Sequence, residues 1–242
     1  MAKRIIVDSA KDLAVRGAEL IVSEARKSVS LNDRFSIGLS GGGTPRAMHR
    51  LLSVEPFLSE LIWDKMHIFW VDERCVSSQH TESNYGNARR DFLDSVPLAQ
   101  GNIHPMPGEV DPERGAEEYG EFLFDFFRPS KDEFPAFDIL FLGLGTDGHT
   151  ASLFPGHDVL NEKKRPIRAL SGGDPSFDRL TMTLPVINSA KKIVFTVSGK
   201  SKAGIVKEIF DSLDSVLPAS MVKPYDGELI WLLDSDAVSL LS

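Results

Sequence analysis

Cysteine is nearly absent from this chain. Its 242 residues include one, Cys75, so no disulfide can form within it, as expected of a protein in a reducing compartment. Positive charge is in deficit. Lys and Arg number 27 against 35 Asp and Glu, a formal net charge of -8, which argues against nucleic acid or an anionic membrane as a bulk partner. An anionic small molecule remains compatible, but only where cations are placed locally. No stretch is long and apolar enough to span a bilayer. The opening "MAKRIIVDSAKDLAVRGAEL" lacks the apolar core of a secretion signal, so the expected location is the cytoplasm. Among the six histidines, His49, His67, His80, His104 and His157 show no zinc-binding spacing. His149 and His157 are separated by a Pro-Gly break, so no metal site is expected. There is no repeat, no low-complexity segment and no composition shift that would mark a linker.

What is present is a globular composition, 42% hydrophobic, in apolar runs that alternate with helical patterns. "RIIV" reads as a first strand, and Ser9 caps a helix reaching about Ser28, with Leu13, Ala18, Ile21, Val22 and Ala25 on its apolar face. "RFSIGLS" is a second strand. After "GGG", Thr44 reads as an N-cap with Pro45 at the first helical position. "MHIFWVDE" reads as one strand ending in acids, and "SNYGNARRDFLD" as a helix capped by Ser83. "VPLAQGNIHPMPGEVDPE" reads as a connection with little regular structure. An amphipathic helix "PERGAEEYGEFLFDFF" follows. "FDILFLG" is a continuous apolar run of the kind found in central parallel strands. "KKIVFTVSG" and "ELIWLLD" are further strands, joined by the helix "KSKAGIVKEIF".

This alternation predicts an α/β fold: a Rossmann-like doubly wound, mostly parallel sheet with helices on both faces. One domain over residues 1–242 is expected, with a possible small flap around 103–135. In such folds ligands bind beyond the carboxyl ends of the strands. The polar or glycine-rich segments 40–44, 72–74, 143–149 and 198–202 all leave those ends and are expected to converge.

Each segment admits a specific chemistry. "GLGTDG" matches the G-x-G-x-x-G dinucleotide fingerprint, but Pro155 and Gly156 leave no room for the required helix. The region where the ribose-binding acid should fall is the basic "KKRPIRAL". "GLSGG" matches the nucleophile elbow around Ser40, but three glycines and a Thr-Pro pair separate that serine from its helix. "SGGGTP" fits an anion cradle better: glycines let backbone N–H groups turn toward one centre, and the helix adds its positive end. No G-K-[ST] follows, so it is not a nucleotide P-loop. In "GTDGHT", His149 can take a proton from water near neutral pH, and Asp147 can orient its ring. Asp72, Glu73 and Arg74 form a charge run at another strand end, and at least one should enter the site. Arg179 and Lys202 are candidate cations. Cys75 reads as a buried or idle thiol.

Together, "SGGGTP", "VDERCV", "ESNYGNAR", "FDILFLGLGTDGHTASLFPG" and "RLTMTLPVIN…VSGKSKA" resemble the 6-phosphogluconolactonase family, in family order and over nearly the whole chain. The resemblance implies a Rossmann-like fold shared with glucosamine-6-phosphate deaminase and ribose-5-phosphate isomerase. It implies hydrolysis of 6-phosphoglucono-δ-lactone in the oxidative pentose phosphate pathway, without a cofactor. It makes His149 the acid/base with Asp147 in support. It places phosphate at Gly41, Gly42, Gly43 and Thr44 with Arg179 and Lys202, and puts Arg74 in the pocket. Asp72 is a substrate-side residue of open role, since its counterpart in the deaminase relatives is a proton-transfer base that lactone hydrolysis does not need. The expected partner is a small phosphosugar lactone, with no nucleic acid and no membrane. Oligomeric state is left open, leaning to a monomer. The alternatives are an amino-sugar-phosphate deaminase or isomerase and a non-catalytic sugar-phosphate sensor. Deaminases follow the D-G-H loop with a Glu where Phe154 stands here, and carry "DEY" where this chain has "DER". Sensors carry a helix-turn-helix ahead of the fold, for which a chain opening on "RIIV" leaves no room.

Overall fold

The structure is a computed structural model that describes residues 2–171, 177–212 and 215–241. Its strands are β1 (Lys3–Val7), β2 (Phe35–Leu39), β3 (Met66–Trp70), β4 (Asp72–Arg74), β5 (Ile103–His104), β6 (Ile139–Leu142), β7 (Ile167–Leu170), β8 (Arg179–Met182), β9 (Lys192–Val197) and β10 (Glu228–Asp234). Its α-helices are α1 (Ala10–Asn32), α2 (Gly43–Leu51), α3 (Phe57–Glu60), α4 (Asn84–Asp91), α5 (Pro112–Phe127), α6 (Leu184–Asn188) and α7 (Ala203–Asp211).

Seven strands form one sheet in the order β1-β10-β9-β6-β2-β3-β5, every pair parallel. Because side chains alternate across a strand, both faces must be covered. Ile139 and Phe141 of β6, Ile230 and Leu232 of β10, and Met66, Ile68 and Trp70 of β3 pack on the side of α1 to α4. Leu140 and Leu142, Trp231 and Leu233, and Phe69 pack on the other side, with α5, α6, α7, β7 and β8. The helices therefore lie on both faces, as expected.

Helix boundaries follow local chemistry. The Ser9 side chain accepts from the Asp12 N–H, and α1 runs to Asn32, four residues beyond the expected end, closing on Asp33 in the left-handed region. Ser83 caps α4 through the Gly86 N–H. Asp111 caps α5, whose first residue is Pro112. The start of α2 differs from expectation. Gly42, at φ 93, is the cap residue and no side chain caps the helix, so Thr44 lies inside the first turn.

"MHIFWVDE" is two strands rather than one. At Val71 the chain leaves the parallel sheet, and β4 joins a three-stranded antiparallel sheet of order β4-β8-β7. Val71 stitches the two together: its N–H donates to Leu39 O at 2.9 Å, and its carbonyl accepts from Met182 N at 2.8 Å. Segment 72–74 is thus a strand that crosses the carboxyl end of the main sheet, not a loop leaving it. Residues 103–135 hold the short edge strand β5 and helix α5. Tyr119 and Leu123 of α5 are buried, and Tyr119 Oη donates to His104 O.

Candidate active site

The chain adds β3 and β5 on one side of β2, then returns to place β6, β9 and β10 on the other. The reversal falls between β2 and β6, and at such a switch point the loops leaving the two strands diverge and open a crevice. Here the crevice is a cavity of about 350 Å³. Its lining includes residues 40–45 after β2, Gly145 and His149 after β6, Asp72 and Arg74 of β4, Arg179 of β8, and Ser198 and Lys202 after β9. All the segments expected to converge do meet there.

The glycine loop is open toward the cavity. Gly42 requires glycine because its φ of 93 lies in the left-handed region, and a Cβ at Gly42 or Gly43 would meet nothing within 4 Å. At Gly41 a Cβ would collide with the Asn84 amide, so that residue is small to let α4 approach. N–H groups in the first turn of a helix have no intrahelical acceptor, and those of Gly43 and Thr44 occupy that turn of α2. Ser40 lies three residues before the helix rather than at its first turn. The α-helix that a dinucleotide fingerprint needs after Gly148 is also missing: the next helical turn is the four-residue 3-10 stretch Asp158–Asn161.

The loop after β6 closes on itself. Gly145 N donates to His149 O at 2.8 Å, and Gly148 N to Gly145 O at 3.1 Å. Thr150 Oγ1 donates to Gly143 O. The Asp147 carboxylate accepts from the His149 amide at 3.1 Å and lies 2.6 Å from His149 Nδ1. Burial works against the charge of Asp147, but the His149 amide and imidazole outweigh it and hold the carboxyl below its usual range. An ionised Asp147 can only accept, which assigns the proton to Nδ1 and leaves Nε2 with the lone pair in the neutral ring. Phe154 supports the ring from another side, with centroids 4.9 Å apart.

The cations are held differently. Arg74 Nη1 donates to Glu82 O and to Asn84 Oδ1, each at 2.8 Å. Arg179 is buried, donates to Ser152 Oγ at 3.3 Å, and its guanidinium carbon lies 5.6 Å from the Phe154 ring centre. Lys202 has no ion pair among the described residues. Burial pushes its ammonium below the ordinary lysine range, against an opposing pull from Asp147.

Asp72 is buried and engaged: it accepts from Ser152 Oγ at 2.7 Å and from Asn84 Nδ2 at 3.2 Å, with Arg179 at 3.9 Å. Glu73 turns away from the cavity and accepts the N–H groups of Asn84 and Tyr85 at the start of α4. Burial raises its carboxyl against the pull of those donors. Cys75 is half-buried, and burial raises its thiol to about 11, which suits an idle group.

Asn84 and Ser152 escaped the sequence reading. Asn84 lies in the stretch "ESNYGNAR" with no role assigned to it, yet it joins Arg74, Asp72 and Gly41. Neither residue carries a charge, and each acts on partners brought close by the crossing of β4. Among the described residues, no group of His, Cys, Asp and Glu could hold a metal ion, and no helix is long and apolar enough to cross a membrane.

Comparison with known proteins bears on the family and the fold. The sequence model of glucosamine-6-phosphate isomerases/6-phosphogluconolactonase matches residues 8–231. The chain is 41% identical over 241 residues to a 6-phosphogluconolactonase of Synechocystis, covering 98% of each chain. It is 35% identical over 240 residues to that of Rattus norvegicus, covering 98% of this chain and 93% of the other. The solved 6-phosphogluconolactonase of Trypanosoma brucei superposes with a TM-score of 0.87 at 27% identity, over 100% of this chain and 99% of that one. A monomeric glucosamine-6-phosphate deaminase shares the fold, with a TM-score of 0.83 at 23% identity. The chain belongs to the glucosamine-6-phosphate isomerase/6-phosphogluconolactonase family.

Proposed function

We propose that this protein hydrolyses 6-phospho-D-glucono-1,5-lactone to 6-phosphogluconate, the lactone-opening step of the oxidative pentose phosphate pathway, and does so in the cytoplasm without a cofactor. The observation that carries the reading is the His149–Asp147 pair beside an open glycine loop and three cationic side chains in one cavity.

A lactone is an activated ester. Its hydrolysis needs an aligned water, a base and stabilisation of a tetrahedral oxyanion, but no covalent nucleophile. Neutral His149 accepts a proton from water at Nε2 as the water oxygen bonds to the carbonyl carbon. Asp147 accepts from Nδ1–H throughout and steadies the imidazolium. The carbonyl electrons move onto oxygen, and the positive potential of Arg74 favours that charge. On collapse the ring C–O bond breaks, and His149 returns the proton to the departing ring oxygen. The acid product then ionises to the carboxylate in water.

The phosphate is held by the N–H groups at residues 41–44 with Arg179 and Lys202. Asp72 serves here as a fixed acceptor that orders Ser152, Asn84 and Arg179, and takes no part in proton transfer. Phe154 speaks against the amino-sugar reading, because it sets an apolar ring against His149 where a second acid would be needed.

The test generates the phospholactone in situ and follows acid release above the spontaneous rate, with glucosamine 6-phosphate in parallel. Accelerated acid release without ammonia is expected. Ammonia release at a comparable rate, or no acceleration of lactone opening, overturns the reading.

A further inference from the structure

Asp234, the last residue of β10, is a buried carboxylate that the proposed mechanism does not use. It is 3% exposed, has no ion pair among the described residues, and does not line the cavity. A buried charge without a counter-ion is costly unless hydrogen bonds replace its hydration. Here three residues supply them. The Ser198 hydroxyl donates to Oδ2. The Gly199 N–H is shared between Oδ1 at 3.0 Å and Oδ2 at 3.1 Å. The Ala237 N–H donates to Oδ1 at 2.8 Å.

Two of these donors open the turn that carries Lys202. The strand β9 ends at Val197, and Gly199 then adopts φ 94, with its N–H turned back into Asp234. The 3-10 turn Lys200–Lys202 follows directly, and Lys202 N donates to Gly199 O at 3.0 Å. Within the turn, backbone geometry passes the position of Gly199 to Lys202. The Lys202 side chain has no ion pair of its own among the described residues, so its placement depends on where the turn presents it.

We propose that Asp234 is a positioning residue that fixes Lys202 in the cavity and so sets the preference for a phosphorylated over an unphosphorylated sugar. This rests on the phosphosugar reading above, since it gives Lys202 a phosphate to meet.

The test is a double-mutant cycle read by calorimetry with 6-phosphogluconate, using wild type, Asp234→Ala, Lys202→Ala and the double variant. Misplacing one charge-assisted hydrogen bond should weaken binding roughly tenfold. In the Lys202→Ala background, Asp234→Ala should add less than about twofold, because the group it positions has gone. Asp234→Asn keeps one acceptor oxygen and should give a smaller loss of about threefold, also vanishing without Lys202. If Asp234→Ala does not fold, the Asn variant in both backgrounds carries the test. No loss of affinity in the variants that fold, or a loss equal in both backgrounds, overturns the inference. A wild type that binds 6-phosphogluconate but opens no lactone overturns the enzymatic reading alone, and one that binds none overturns both.

Discussion

The loop after β6 and the turn after β9 leave the carboxyl ends of neighbouring strands and line the same cavity, yet they are built in opposite ways. The first holds itself: Gly145 bonds to His149, and Asp147 holds both the amide and the ring of His149. The second is held from outside, through Ser198 and Gly199, by Asp234 on the adjacent strand. The first carries a group proposed to gain and lose a proton; the second carries one proposed only to present charge. Proton transfer tolerates little misplacement, so a short, self-bonded loop suits it. A phosphate is met at longer range by a flexible side chain, and there the backbone anchor can sit on another strand.

Breaking the self-held loop should have the largest effect. His149→Ala removes the proposed base, and positioned acid/base catalysis of this kind contributes ~10²–10⁴-fold. kcat for the phospholactone should fall by that order, while calorimetry finds 6-phosphogluconate bound nearly as in wild type. A variant within threefold of wild type in kcat would remove the role.

Gly145→Ala attacks the same loop through its backbone. The added methyl would collide with His149 Nδ1 and the Asp147 carboxylate, so the pair must separate. A displacement of that size costs about 100-fold in kcat, with KM little changed.

Breaking the charge-presenting side should act on KM. Arg179→Ala is expected to raise KM for the phosphorylated lactone about ten- to a hundredfold, the value of one charge-assisted hydrogen bond. kcat should change less, because the proposed phosphate site is remote from the reacting carbonyl. Unphosphorylated gluconolactone should be a poor substrate and nearly indifferent to the change. An equal loss on both lactones would mean that Arg179 does not meet the phosphate.

The smallest effect lies outside the cavity and concerns stability. Glu162 accepts the N–H groups of Lys163, Lys164 and Arg165 and the guanidinium groups of Arg165 and Arg168. Burial opposes its charge, but these donors lower its carboxyl from 4.5 to about 2. A depressed folded value gives stability that is fully present above the unfolded value and is lost as pH falls through the folded one. Glu162→Gln should therefore lower Tm at neutral pH, by about 2–4 °C for each kcal/mol lost in a chain of this size. The difference should shrink below pH 4.5 and vanish near pH 2. A gap in Tm that is constant with pH would contradict this origin.

Much of this arrangement is legible in the sequence because it follows local rules. Strands buried on both faces show as apolar runs, and the amphipathic pattern that opens at Pro112 is helix α5. Segments 40–44, 143–149 and 198–202 leave strand ends, and their meeting follows once the sheet is parallel. What stayed hidden depends on distant partners. Thr44 has the chemistry of a cap, but Gly42 reaches a φ that Thr would rarely adopt, and the helix starts earlier. The break at Val71 is set by its bonds to Leu39 and Met182, which no local pattern shows. Asn84 and Asp234 look like an ordinary helix residue and a strand-end acid until their partners are in place.

The division of labour between the two loops is tested most directly by measuring kcat and KM for His149→Ala and Lys202→Ala on the same phospholactone. The account predicts that the first variant loses kcat with KM nearly unchanged, and that the second raises KM about ten- to a hundredfold with kcat nearly retained. Loss of the same parameter by a similar factor in both variants would contradict it.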